Sequence, residues 1–461
     1  MYQIDFNKPI HIHFIGIGGI SMSGIAEILK HWNYEVSGSD STRSSQTEWL
    51  EDNGIKVNIG QVSENINDDI DLVVYTAAIK QDNPELVKAR ELNIPTVERG
   101  EFLGEITKLF KDNIGIAGTH GKKSTTSMVA SAFVEADYDP SIQVGAVLKL
   151  IDGNYRVGNS DYFIIEACEY CDSYHNFKQR SAIVLNIDND HLDYFKNIEN
   201  IQKSFETYVS HLPEDGFLIL NRDDERCYAL RNSTKATVVT VGNHEEADWT
   251  YKNVIFDDDG FPTFDVYKHG ENMGSISLKV AGMHNVFNAT CTAALCDCYG
   301  INVDTVNNAL MKFDGASRRL EYKCMLNGAK VYDDYGHHPT EIMATVKGIK
   351  NKKYNESWVV FEAHTYSRLN AHLHEFAEAL GNFDNIIIID TYAAREVNTY
   401  DIHEEDLMKV LKDMGKDSIH ISDHDEVVKY LTENVKEGDL VLTLGAGFVT
   451  KIANKLKEAN K

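Results

Sequence analysis

Proline is scarce, with 7 residues in 461, and no stretch of the chain is rich in it. That excludes a long polyproline spacer between folded parts. The 7 cysteines, Cys168, Cys171, Cys227, Cys291, Cys296, Cys298 and Cys324, follow no disulfide rhythm. Cys168 and Cys171 form a lone C-x-x-C, and Cys296 and Cys298 a C-x-C inside a helical pattern. With no second matching pair, neither reads as a zinc site. Long apolar runs are also missing: nothing approaches the roughly 20 residues of a membrane span, and the opening MYQIDFNKPI has no signal-peptide core. Positive charge is in deficit, 45 Lys and Arg against 71 Asp and Glu, giving a net charge of -26. Such a surface repels nucleic acid and anionic membrane, so a phosphate-bearing ligand must be held by a local pocket. The expectation is a reduced, cytoplasmic protein with no nucleic-acid partner and no membrane insertion.

What is present is a near-continuous alternation of strand-like and helix-like segments, which argues for α/β architecture with mostly parallel sheets. The length allows two or three domains. IHIHFIGIGG reads as strand and turn, SMSGIAEILKHW as helix, and YEVSGSD and DLVVYTAAI as strands. A break near Gly104 to Asn113 precedes a second α/β block with YFIIEACE and SAIVLNIDNDH as strands. Ala236 to Val280 is short-stranded and turn-rich, an expected antiparallel elaboration. Another shift falls at DGASRR (Asp314 to Arg319), and a third block runs through WVVFEAH, NIIIID and LVLTLGAG.

Two glycine clusters carry chemistry. Gly16, Gly18, Gly19 and Gly24 follow the first strand, where they allow a tight turn and bring a phosphate close to a helix N-terminus. Asp40 ends the next strand, the place of a ribose-binding acid in dinucleotide folds. Ser21 holds the last glycine position of a strict G-x-G-x-x-G, so an empty Rossmann-like turn remains open, and so does a nicotinamide dehydrogenase. The second cluster, GTHGKKSTTS (Gly118 to Ser127), lies between the apolar run NIGIA and a helical stretch. Backbone amides from Gly118 to Lys122 and the Lys122 ammonium are expected to surround β- and γ-phosphates.

Carboxylates and imidazoles accumulate at strand ends, where ligands bind in open α/β sheets. Glu166 and Glu169 follow YFII; Asp188, Asp190, His191 and Asp193 follow SAIVLN. A carboxylate and an imidazole there could hold magnesium against the phosphates. GMHNVFNA puts His284, Asn285 and Asn288 at a helix start, able to hydrogen-bond a base edge; capping by Asn285 is the plainer account. Asp333, Asp334, His337 and His338 in VYDDYGHHPTEI could bind zinc or line a crevice.

GIGGISMSG, GTHGK, EACE, NIDNDHLDYF, GMHNVFNA, GASRRLEY, DDYGHHPTE, HTYSR and YAARE stand in the order found in the Mur ligases. The chain resembles that family over essentially its whole length. The resemblance implies an N-terminal Rossmann-like UDP-sugar domain over 1–108 and a central P-loop ATPase-like domain over 109–316 carrying the β-rich elaboration. A C-terminal Rossmann-like domain over 317–461 completes it. It implies ATP-dependent ligation of L-alanine to UDP-N-acetylmuramate through an acyl phosphate, with Mg2+, by a monomer or homodimer. Cations must then neutralise the transferring phosphoryl group. In this reading Gly118, Thr119, His120, Gly121, Lys122, Lys123 and Ser124 contact ATP, while Glu166, His191 and Ser124 take the metal. His284, Asn285 and Asn288 hold adenine, and Arg319 and Asp334 complete the nucleotide site. Gly18, Gly19, Ser39, Asp40 and His337 contact the UDP-sugar, and His364 and Arg368 face substrate.

One residue departs from the phosphate-loop rule. A hydroxyl normally follows the loop lysine to ligate magnesium, and here the next residue is Lys123. Taking Lys123–Ser124 as a displaced lysine–hydroxyl pair would rotate the helix start by about 100° and misalign Thr125 and Thr126. In the unshifted register Lys122 keeps the phosphate role, and Lys123 could replace one metal charge without ligating the ion. A paralogue that binds without ligating and a murein-peptide-recycling ligase stand as alternatives. Leu369, Phe448 and Gly100 are further departures, all peripheral.

Overall fold

The computed structural model describes residues 8, 10–76, 78–315, 318–394 and 396–459, and the side chain of Asp193 lies outside the described residues. The expected boundary at 316/317 and Arg395 of the YAARE motif also lie outside them. The chain divides into two compact units, Met1–Tyr251 with Val266–Gly274 and Asn288–Ala309, and Lys252–Asp265 with Ser275–Phe287 and Leu310–Lys461.

The first unit holds two sheets. β1 (His11–Ile15), β2 (Glu35–Asp40), β3 (Lys56–Ile59), β4 (Leu72–Tyr75) and β5 (Thr96–Glu98) run in the order β3-β2-β1-β4-β5. Every pairing is parallel. Ile12, Phe14, Leu72 and Val74 are sealed from solvent, as the strands of a sheet covered on both faces must be. Strand order reverses between β1 and β4, which puts the Gly16–Gly19 turn at the switch point.

The second sheet begins with β6 (Asp112–Ala117), β7 (Ser141–Leu148), β8 (Gly153–Arg156) and β9 (Tyr162–Glu166). It continues with β10 (Ser181–Val184), β11 (Phe217–Asn221) and β12 (Thr237–Val241), in the order β12-β11-β10-β6-β9-β7-β8. β6 pairs in parallel with both β10 and β9. The loop after β6 therefore opens between the ends of the strands that carry Asp188 and Glu166. β13 (Trp249–Phe256), β14 (Pro262–Lys268) and β15 (Glu271–Ser277) have residues in both units. The connections at 257–261 and 269–270 are too short for parallel crossovers, so these strands are antiparallel. The expected elaboration thus starts later than Ala236, because β12 still pairs in parallel with β11.

The second unit contains β16 (Glu321–Leu326), β17 (Ala329–Asp334), β18 (Ser357–His364), β19 (Asn385–Tyr392), β20 (Ser418–His420) and β21 (Leu440–Leu444). They form a sheet ordered β16-β17-β21-β18-β19-β20, antiparallel only at β16/β17. Within the expected break near Gly104 to Asn113, the helix Arg99–Thr107 runs through Gly104 and ends before β6 starts at Asp112. Gly104 serves close packing instead, since a Cβ there would lie 2.5 Å from the Asn176 carbonyl oxygen.

Candidate functional site

The sequence around the loop after β6 dictates its shape. Gly118 and Gly121 have φ of 130° and 86°, conformations that disfavour side chains. The helix Lys122–Glu135 starts directly after Gly121. Lys122 is thus the first helical residue and Lys123 the second, which is the unshifted register. Lys122 Nζ turns back onto its own loop, 2.6 Å from Gly118 O and 3.0 Å from Thr119 O, and 2.9 Å from Glu169 Oε2. Burial opposes the ammonium charge, but Glu169, with Cys168 and Glu166 behind it, holds Lys122 above the ordinary lysine range.

Asn186, which reasoning from acids and histidines passes over, clamps the loop to the end of β10. Its Oδ1 accepts from His120 N at 2.7 Å and its Nδ2 donates to His120 O at 3.0 Å, while Thr119 N donates to Asn186 O at 3.0 Å. The expectation that every amide from Gly118 to Lys122 faces phosphate is therefore corrected for Thr119 and His120. Their N–H groups are already used, because the loop must be fastened to the neighbouring strand. Thr119 Oγ1 accepts from Asp188 N at 2.9 Å, and His120 Nε2 lies 3.2 Å from Asp188 Oδ2. Asn288 adjoins the same loop: its Oδ1 would lie 3.3 Å from a Cβ on Gly121.

Glu166 ends β9 beside the loop and accepts the Gly145 N–H at 2.8 Å. A Cβ on Gly145 would meet Glu166 Oε2 at 2.6 Å and Lys123 Cε at 3.2 Å. Carboxylate and lysine stem thus share the one space that glycine leaves open. His191 has a left-handed backbone, φ 52°, and its ring lies 4.7 Å from that of Tyr170. Glu166 and His191 belong to no set of three His, Cys, Asp or Glu ligand atoms within 4.8 Å of one another among the described residues. Ser124 is half-buried in the first helical turn.

At the first glycine turn, Gly18 N donates to Asp40 Oδ2 at 3.0 Å, and a Cβ on Gly18 would sit 2.9 Å from that oxygen. Gly19 caps the helix Ile20–His31. Ser39, expected to contact the UDP group, turns its side chain into the fold. It is fully buried, its hydroxyl donates to Glu85 Oε2 at 2.5 Å, and its carbonyl accepts from Gly16 N and Ile17 N. Its role is to hold the turn through that carbonyl.

In the second unit the acids and histidines after β17 separate. Asp333 is buried and accepts from Thr443 Oγ1 at 2.6 Å, Thr450 Oγ1 at 2.8 Å and Arg318 Nε at 3.1 Å. Asp334 accepts from Leu320 N and Gly336 N, each at 2.7 Å. Burial raises the Asp334 carboxyl to about 6, against the pull of Arg319. His338 Nδ1 caps the helix Pro339–Ile349 by accepting from Thr340 N at 3.3 Å. His337 Nδ1 lies 3.1 Å from Tyr335 O. Burial lowers its pKa to about 4. These four residues point to different partners and do not converge on one ion, whereas the Asp188, His120 and His338 ligand atoms lie within 4.8 Å of one another. Asp334, expected at the nucleotide, has each carboxylate oxygen occupied by a backbone N–H group, one from Gly336 in its own turn and one from Leu320 before β16.

His364 and Arg368 do meet. Arg368 Nη1 lies 3.0 Å from His364 Nδ1 and donates to His364 O at 2.6 Å. The His364 ring stands 5.4 Å from His337 and 5.5 Å from Tyr392. Glu396 secures this segment, accepting from Thr365 Oγ1 at 2.7 Å and Ser367 N at 2.8 Å. Arg319 donates to Glu341 at 3.3 Å, whereas its neighbour Arg318 reaches Asp333 and Gly445 O. His284 is exposed with its ring over Gly282, and Asn285 Nδ2 donates to Ala281 O at 2.8 Å. The expected base-binding trio, His284, Asn285 and Asn288, lies at the start of one helix, Met283–Cys298.

Three family descriptions match: the Mur ligase family catalytic domain over residues 11–111, the Mur ligase middle domain over 116–296, and the Mur ligase glutamate ligase domain over 318–447. A UDP-N-acetylmuramate–L-alanine ligase of Lachnoclostridium phytofermentans is 44% identical, over 99% of both chains. One from Clostridium kluyveri is 46% identical over 98% of both. The crystal structure of the UDP-N-acetylmuramate-alanine ligase of Thermotoga maritima superposes with a TM-score of 0.85 at 27% identity, covering 98% of this chain and 99% of that one. A murein peptide ligase of Psychrobacter arcticus shares the fold at a TM-score of 0.72 and 24% identity, over 98% of both chains. With motifs in order, three matching domain descriptions and full-length relatives, the chain belongs to the Mur ligase family.

Proposed function

We propose that this protein is an ATP-dependent, ADP-forming ligase that joins L-alanine to UDP-N-acetylmuramate in peptidoglycan precursor synthesis. The observation that carries the reading is the phosphate loop. A lysine held at a left-handed glycine, with Glu166 and Asp188 at the flanking strand ends, forms a site for a triphosphate. The γ-phosphoryl group passes to the lactyl carboxylate, the alanine amine attacks the resulting acyl phosphate, and phosphate leaves.

Lys122 binds and orients the phosphates in this reading, supported by its place at the first helical residue. Gly18, Gly19, Ser39, Asp40 and His337 are assigned to the UDP-sugar on the family pattern, with Asp40 holding the first glycine turn through Gly18 N. Asn288, beside the loop, contacts the nucleotide, and His284, Asn285, Arg319 and Asp334 are assigned to it on the family pattern. His364 and Arg368, joined to one another, orient the substrate carboxylate or amine. A bound divalent ion supplies charge neutralisation at the phosphates, and Glu166, His191 and Ser124 are the side chains assigned to Mg2+. The stem of Lys123 and the carboxylate of Glu166 both reach the space beside Gly145, which puts the lysine on the side of the assigned metal acid. Cytoplasmic location and a monomeric or homodimeric state belong to the same proposal. No helix among the described residues is long and apolar enough to cross a membrane.

The test is phosphate release from ATP with UDP-N-acetylmuramate and a panel of alanine, glycine and serine. Release that needs both the sugar nucleotide and alanine is expected. Release that responds to a murein tripeptide but not to alanine would assign the recycling activity instead, and ATP binding without release would mark a non-ligating paralogue.

A further inference from the structure

We infer that Lys123 is a resident cation of the phosphate-loop site, paired with the Glu166 carboxylate, and that a divalent ion binds there only by displacing it. The inference rests on the ligase reading for the role of Glu166, and on the geometry of Gly145 for the rest.

Lys123 is the second residue of the helix Lys122–Glu135, where a hydroxyl would face the phosphates and the ion. Its side chain runs to the end of β9 instead. Lys123 Cε and Glu166 Oε2 both crowd the point that a Cβ on Gly145 would occupy, at 3.2 and 2.6 Å. The same Glu166 oxygen accepts the Gly145 N–H at 2.8 Å, which fixes the carboxylate facing the lysine stem. Lys122 is committed elsewhere, to Gly118 O, Thr119 O and Glu169. The two lysines are therefore not redundant: one closes the loop and the other sits at the metal-side carboxylate.

An ammonium next to a carboxylate ligand acts on a divalent ion in two ways. It repels the dication, and it takes up the lone pairs the ion needs. Lys123 also adds no oxygen to replace the hydroxyl that a loop of this kind normally contributes. The divalent requirement of this chain should accordingly be steep, with the ion entering only when the lysine swings away.

The experiment is a Mn2+ titration followed by electron paramagnetic resonance, with the full chain and a non-hydrolysable ATP analogue present. Wild type is compared with Lys123→Met, which removes the charge, and Lys123→Thr, which also restores an oxygen. Lys123→Met should bind Mn2+ about tenfold more tightly, a change of ~1.4 kcal/mol, and Lys123→Thr more tightly still. In a Glu166→Gln background the gain from Lys123→Met should shrink to less than about fivefold, because the pair no longer exists and only the direct repulsion of the dication remains. Thermal melts keep the comparison to folded protein. Mn2+ affinity within twofold of wild type in both single variants overturns the inference, and so does a gain that persists undiminished with Glu166→Gln. This readout is independent of ligation. A failure of alanine-dependent phosphate release alongside the expected Mn2+ shifts would count against the proposed function and not against the lysine.

Discussion

Lys122 and Glu169 show how one residue can serve stability and chemistry together. Both side chains are nearly sealed, at 12% and 2% exposure, and each is the other's neutraliser. Removing one partner of such a pair strands a buried charge, which typically costs about 3–5 kcal/mol. Lys122→Ala should therefore lower the urea midpoint markedly, and Glu169→Gln in the same chain should return most of the loss. Equal destabilisation by the single and double changes would show that the pair is not what holds the loop. Gly100 is a second case. It lies in the helix Arg99–Thr107, where alanine would normally be preferred by about 1 kcal/mol. A Cβ there would approach Ser173 Cβ at 2.9 Å and Glu98 Oε2 at 2.8 Å. Gly100→Ala should thus destabilise, by about 1–3 kcal/mol as overpacking does, and chemical denaturation would register the sign. Phe448 is likewise explained locally: half of it is exposed, and its ring stands edge-on to Tyr392 at 5.1 Å.

At the scale of elements, short segments are fixed by single side chains that arrive from elsewhere. Glu396 accepts the N–H of Ser367, the second residue of the helix Tyr366–Ala371, and so orients the turn that bears His364 and Arg368. Glu396→Gln keeps the shape but exchanges an acceptor oxygen for a donor. We expect kcat to fall about tenfold, as misplacement without removal of a substrate group does, with global stability changed by about 1 kcal/mol. A loss of kcat with no rise in the KM for ATP would separate positioning from unfolding. His337 supplies a pH signature. Its folded pKa of about 4 lies below the ordinary 6.5 through burial, opposed by Glu341 and aided by Arg368 and His364. The unfolded chain binds that proton first, so the stabilising share of His337 is full above pH 6.5 and is lost as pH falls through 4. His337→Gln should reduce the slope of stability against pH within that window by up to about one proton; an unchanged slope would place the ring in water. Much of this was legible from residue types: glycine turns, strand-end acids and the β6 loop all fall where the sequence puts them. Side-chain direction was not. β2 is buried on both faces, so alternation could not tell Ser39, bonded to Glu85, from Asp40, bonded to the glycine turn. Asn186 was hidden for a different reason: an amide between Leu185 and Ile187 carries no charge or imidazole to mark it, and its role shows only once the partner loop is known.

For the whole molecule the governing fact is a net charge of -26 in a protein that must collect anions. The general field opposes both ATP and a UDP-sugar, so each needs its own local donors, and loss of a local donor is not softened by the surroundings. The local groups lie at the ends of separate sheets, Lys122 after β6 and the glycine turn held by Asp40 between β1 and β2. Separate sheets allow separate effects, since sites that share no partners add independently. Lys122→Ala should weaken ATP binding by more than about tenfold, the size expected for one charge-assisted contact of ~1.5–3 kcal/mol, while affinity for UDP-N-acetylmuramate stays within about twofold. Asp40→Ala frees the Gly18 N–H and loosens the first turn, so it should do the reverse. Isothermal titration of each variant with each ligand decides the matter. If either substitution weakened both ligands alike, the two nucleotides would not occupy the two sheet ends, and the assignment of Asp40 to the sugar nucleotide would fall.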